Sequence, residues 1–168
     1  MASFDEHVFQ AKCNLDFLEN INSNSNRYID WQVTTNFYVA VHVINAFIAK
    51  EGNLHFASHE LVKDTISPYS KMPNTRLDDK TYLAYVNLRN LSRRSRYLLN
   101  QDTPSKDQDK AHYILEKHFM KSFECVDTLI SFFFNKYGTS FKTIEIKYNY
   151  TKNPPNLINF KFSRITPN

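Results

Sequence analysis

Residues 28–52 read YIDWQVTTNFYVAVHVINAFIAKEG, and this stretch decides the fold. Val33, Phe37, Val41, Ile44 and Ile48 step by 4, 4, 3 and 4 residues, which puts them on one face of an α-helix. Asp30 near its start and Gly52 just past its end punctuate a helix over about 28–50. At 1.5 Å per residue such a helix is roughly 35 Å long, enough to cross a small domain.

Outward from that helix, the same period recurs. Ser3 followed by Glu6 has the form of a capping box, and Phe4, Val8, Ala11, Leu15 and Leu18 follow at helical spacing. Polar residues 20–26 end this first helix. On the other side, Ser58 is placed to cap a short third helix through about Ile66, and residues 68–75 form a loop. A fourth helix runs to about residue 100 with Ala84, Leu88, Leu91, Ser95 and Leu98 facing the core, and residues 101–109 are a polar connection. The fifth helix, over about 107–137, carries Leu115, Phe119, Phe123, Val126, Ile130, Phe133 and Tyr137. Phe132 and Phe134 widen that stripe and make this helix the expected centre of the domain.

The period then changes from helical to alternating. Ile144, Ile146, Tyr148 and Tyr150 alternate with polar residues, as do Ile158, Phe160 and Phe162, with Asn153-Pro154-Pro155-Asn156 between them. This pattern predicts a β-hairpin. Two strands are marginal alone, so they should pack on the helices or on another chain. The expected architecture is mainly α: an up-and-down antiparallel bundle of four to five helices over 1–138, with a C-terminal β-hairpin over 139–168 packed on it as one domain.

Composition agrees. The chain has 168 residues, 42% hydrophobic and 23% charged, within the range of one globular domain. Two glycines leave no Gly-rich phosphate loop and favour long helices over many-stranded sheets. The acidic opening MASFDEHVFQ does not read as a signal peptide, and no apolar run reaches the roughly 18 residues of a membrane span. Cys13 and Cys125 fit no CxxC pattern, which suggests a reduced cytoplasm and two buried packing thiols. The net charge of +4 is unevenly spread. Residues 76–100 hold six Lys/Arg against two Asp, and residues 139–168 hold five against one Glu. Such asymmetry fits a polyanion-binding surface, or a solvated helix face beside a basic hairpin.

The segment TYLAYVNLRNLSRRSRYLL, from Thr81, is the most distinctive. On a helix, Arg89, Arg93 and Arg96 share a narrow stripe with Tyr82 and Tyr85, with Arg94 and Tyr97 beside it. Arginines grip phosphates and tyrosines stack on bases, so the stripe suits RNA or nucleotide contact. A solvated face or a dimer seam fits the same residues. His42 flanks the apolar stripe of the second helix with Trp31, Thr35, Tyr38 and Asn45, where an imidazole serves as a general base or as a hydrogen-bonded boundary group. His55 and His59 are four apart, but Ser58 leaves His55 in the loop and no Glu or Cys completes a zinc set, so no metal and no other cofactor is expected. His112 and His118 read as packing or boundary groups. No Walker, G-x-S-x-G, H-E-x-x-H or Rossmann motif occurs.

Several of these stretches resemble a family. The run from Asp30 to His42, the pair Ser58-His59, the Tyr85…Leu88…Leu91-Ser92-Arg93-Arg94-Ser95-Arg96-Tyr97 segment and Lys117-His118-Phe119 together resemble the HEPN (higher eukaryotes and prokaryotes nucleotide-binding) helical bundles of bacteria, over residues 8–137. The resemblance implies a homodimeric bundle, often a metal-independent ribonuclease of toxin–antitoxin, defence or stress systems. In those, an Arg followed after four to six residues by a His forms the site. No arginine here has such a histidine. A substitute would pair His42 or His59 with Arg93 or Arg96, should the second, third and fourth helices converge. Three functions follow: a HEPN-like dimer binding RNA, nucleotide or a partner such as a nucleotidyltransferase; a metal-independent endoribonuclease with an atypical His/Arg site; or a noncatalytic interaction subunit.

Overall fold

The computed structural model describes residues 2–24, 28–97, 108–149 and 153–165, without the side chains of residues 24, 97 and 108–116. Leu98, Tyr150, the side chains of His112 and Leu115, and residues 101–107 of the polar connection lie outside the described residues. The elements are α1 (Phe4–Asn24), α2 (Ile29–Gly52), α3 (His59–Thr65), α4 (Asp79–Tyr97), α5 (Gln108–Tyr137), β1 (Ile144–Tyr148) and β2 (Phe160–Arg164), with a short 3-10 turn at Pro73–Thr75. The architecture is the mainly helical bundle with a small C-terminal sheet that the periodicity predicts.

Local chemistry sets the helix ends. Ser3 and Glu6 form the capping box: the Ser3 N–H donates to Glu6 Oε2 at 2.7 Å, and the Glu6 N–H donates to Ser3 Oγ at 3.3 Å. Ser58 caps α3, accepting from the Leu61 N–H at 3.5 Å. The end of α2 differs from expectation. Gly52 is its last helical residue, and Asn53 takes the left-handed position at φ 51°, ψ 42°. Gly52 is needed there for closeness, since a Cβ would stand 3.0 Å from Thr75 Cγ2.

Ring contacts and hydrogen bonds give the helix directions. The start of α1 meets the end of α5 (Phe4 on Phe133 at 5.5 Å), so α1 and α5 are antiparallel. Asn36 bonds Ser122, Phe47 packs on Phe132 and Glu51 accepts from Tyr137, so α2 and α5 run parallel. Gly52 lies against Thr75, just before α4, while Phe37 packs on Tyr85, so α4 runs back along α2. The up-and-down order holds, with the parallel diagonal pair α2 and α5 in direct contact. This makes α2, rather than α5, the central helix. Fifteen of its residues are buried, including Gln32, Thr34, Thr35, Asn36 and Asn45, whereas Phe134 of α5 is half exposed. The stripe Val33, Phe37, Val41, Ile44 and Ile48 is buried as its spacing implies.

The terminal sheet has the expected burial on β1, where Ile144, Ile146 and Tyr148 point inward. Its strands pair parallel, Ile144 beside Phe160 and Tyr148 beside Arg164, so it is not the hairpin that the alternation suggested. Alternation carries no direction, and the eleven residues between the strands reach well beyond the ~17 Å of a five-residue strand, so the chain can return to the start of β1. Asp127 of α5 sets that return: its carboxylate accepts from the N–H groups of Asn159 at 2.8 Å and Ile158 at 3.4 Å. Phe160 then packs on Phe123 at 5.0 Å. Asn22 closes the outer edge of β1, accepting from the Lys147 N–H at 2.7 Å and donating to the Lys147 carbonyl at 2.9 Å, as a neighbouring strand would. Cys125 is buried, but Cys13 is only half-buried, because it lies on the side of α1 away from Ala11, Leu15 and Leu18.

Candidate functional site

Two clusters of titratable side chains lie on either side of the α2–α3 connection. The first is built around His59, the first residue of α3. Its imidazole sits edge-on to Phe37, ring centres 5.0 Å apart, with Tyr38 at 6.5 Å. Burial is the main cause that lowers its pKa below 6.5, and the positive charges of Arg89 and Arg96 lower it further. The ring is therefore neutral near pH 7, able to accept a proton or a hydrogen bond. His59 of α3 therefore packs on α2 and lies within electrostatic reach of two arginines of α4.

Arg89 is held in place by Glu60 of α3, at 2.5 Å, and Glu60 also pairs with Lys63. Arg96 is exposed and its Nε donates to the Ser92 carbonyl at 3.3 Å. Arg93 is half-buried and Arg94 exposed. Because α4 ends where α2 begins, Trp31 lies at the same end of the bundle as these arginines. It is 61% exposed, and Tyr38, two turns further along α2, is 39% exposed. α4 thus carries exposed guanidinium groups and α2 carries open aromatic rings, with Tyr38 beside His59.

Several expected site residues fall elsewhere. Tyr85 is fully buried against Phe37, and Tyr82 is half-buried against the core. The Arg–Tyr stripe is therefore not one solvent face: α2 and α3 cover its N-terminal half, and only its arginine end opens outward. Tyr97 ends α4, and its side chain lies outside the described residues. His42 does not join His59. It belongs to the second cluster, where His7 Nδ1 lies 3.0 Å from His42 Nδ1 and His7 Nε2 lies 3.1 Å from His55 Nδ1. His7 is 4% exposed, and burial, followed by the charges of His42 and His55, brings its pKa down to about 4. Burial also lowers that of His42. The arrangement does not form a metal centre, because His7 turns a different nitrogen to each neighbour. Among the described residues no group of three ligand side chains is disposed to hold a metal ion.

His7 and Trp31 gave little signal as site residues in the sequence. His7 has no local motif, and Trp31 reads as a boundary residue until the direction of α4 is known. His118 lies near Arg94 and Lys117, and burial is the main cause that brings its pKa down to about 4. A cavity of about 190 Å³ lies between Asn22, Gln32, Phe119 and Tyr148. No helix among the described residues is long and apolar enough to cross a membrane. In comparisons with known proteins, no family model, no curated protein and no solved structure matches this chain.

Proposed function

We propose that this chain is a HEPN-like helical protein, acting as a homodimer in bacterial defence or stress, whose α2–α3–α4 face binds single-stranded RNA or a nucleotide. The observation that carries the reading is the neutral ring of His59, set against Tyr38 and within electrostatic reach of Arg89 and Arg96, with the exposed ring of Trp31 on the same helix as Tyr38. Guanidinium groups neutralise phosphates, and open aromatic rings stack on bases of any sequence. The resemblance of the sequence segments to HEPN bundles supports the same reading.

The test is fluorescence anisotropy with a labelled single-stranded RNA at several salt concentrations. With about three phosphate contacts, log K falls against log salt with a slope near −2, and each arginine lost removes roughly 0.7 from it. Arg96→Ala and Arg93→Ala should each lower the slope, and Trp31→Ala should weaken binding about tenfold without changing it. Salt-insensitive binding, or none, overturns the reading and leaves the arginine face to a protein partner, such as an acidic nucleotidyltransferase surface. Sedimentation tests the dimer.

A second reading, metal-independent endoribonuclease activity, draws on the same neutral His59. A neutral imidazole can take the proton of a 2′-hydroxyl while arginine stabilises charge building on the phosphate. It requires RNA cleavage in EDTA that disappears in both His59→Ala and Arg96→Ala. Cleavage that persists in them belongs to another site or a contaminant.

A further inference from the structure

We infer that His7, His42 and His55 form an acid-sensitive clasp, which ties the α2–α3 connection to α1 near neutral pH and releases it in acid. The cluster has two N···N contacts, at 3.0 and 3.1 Å, and each is attractive only when it holds one hydrogen. Both nitrogens of His7 are committed to these contacts. His42 and His55 each commit Nδ1 and keep Nε2 outside. Three neutral rings carry three hydrogens: two fill the contacts, and one sits on an outer Nε2. One added proton can occupy the other outer Nε2, with the contact hydrogens shifting along the chain. A further proton has no place except a contact already filled, where two N–H groups would face each other. Three independent histidines would take up three protons on acidification; this cluster accepts one.

The surroundings do not offset that limit. The charged groups that act on His7 are His42 from α2, His55 from the connection and Glu6 from α1 itself, and the Glu6 carboxylate is engaged by Ser3. His42 feels His55. Among the described residues, no carboxylate from α2 or from the connection acts on either ring. Water reaches the cluster through His55, which is exposed.

The connection has other supports, Leu54 and Phe56 against the core and the Glu60–Arg89 pair on α3, but the two His7 contacts are what tie His55 to α1. His55 lies three residues before the Ser58 cap, and α3 has seven residues, of which Val62 and Thr65 are buried. Opening the clasp therefore releases His55 from α1 and loosens the connection that leads into α3, the helix that carries His59. The clasp stands on its own geometry, whether or not the arginine face binds RNA.

Two measurements on the intact chain test this. The first is NMR titration of the imidazoles. His7 should stay neutral at pH 6 and titrate below pH 5, with one bound hydrogen at each contact; His7 titrating near 6.5 overturns the clasp. The second is amide hydrogen exchange of residues 53–66, corrected for the intrinsic pH dependence, at pH 7.5 and 4.0. Protection in the wild type should fall about tenfold more than protection in His7→Phe, which keeps a ring but cannot titrate. Equal loss in both proteins overturns the proposal. A rise in melting temperature with zinc or nickel in the wild type, absent in His7→Phe, would also overturn it, since the cluster would then be a metal centre.

Discussion

Tyr85 offers a substitution whose sign distinguishes a buried packing residue from a binding one. Its ring is fully buried beside Phe37, and its hydroxyl has no hydrogen-bond partner among the described residues. An unpaired buried hydroxyl costs about 1–3 kcal/mol relative to one solvated by water. Tyr85→Phe removes that cost and keeps the ring. The space left by the oxygen is small, and at about 24 cal/mol per Å³ it returns roughly 0.3 kcal/mol. The net expectation is a gain of about 1 kcal/mol, or some 2–4 °C in melting temperature for a chain of this size. Thermal and urea unfolding followed by circular dichroism measure it, and RNA anisotropy of the same variant should be unchanged. A loss of 1 kcal/mol or more would refute the reasoning, because the hydroxyl would then have a bonded partner, such as a trapped water. A loss of RNA affinity at unchanged stability would return Tyr85 to the binding surface.

Other substitutions test the remaining supports. Asp127→Ala removes the acceptor for the Ile158 and Asn159 N–H groups and should cost about 2–3 kcal/mol in urea unfolding, with increased hydrogen exchange confined first to β2. Asn53→Gly should be neutral or slightly stabilising, whereas Asn53→Ala should cost about 1 kcal/mol, because the residue holds φ 51° and alanine is strained there. Phe123→Ala empties the meeting point of α5 with Phe160 and Phe162 and should lower stability by about 3–5 kcal/mol by the same assay.

Much of the helical framework was legible in the chain. Val33 to Ile48 of α2, Val8 to Leu18 of α1 and Phe119 to Phe133 of α5 are buried on the faces that their spacing marks. The Ser3–Glu6 box and the Ser58 cap stand where their residue types place them. The candidate site was only partly legible. The sequence reading proposed that His42 or His59 would meet Arg93 or Arg96, and the structure brings His59 to Arg89 and Arg96 while sending His42 to His7. The tyrosines of the α4 stripe divide as well, Tyr85 into the core and Tyr82 to its margin.

The division follows from the range of the interactions. Helix formation, capping and amphipathic faces depend on groups three or four residues apart, so Ser3, Glu6 and the apolar stripes determine them without reference to the rest of the chain. Which part of the α4 circumference is covered, whether β2 runs with or against β1, and which histidines meet depend on contacts across long separations. Asp127 to Asn159 spans 32 residues, and His7 to His42 and His55 spans 35 and 48. No local period records such pairings. They are decided when α1, α4 and α5 pack around α2 and bring distant side chains within reach.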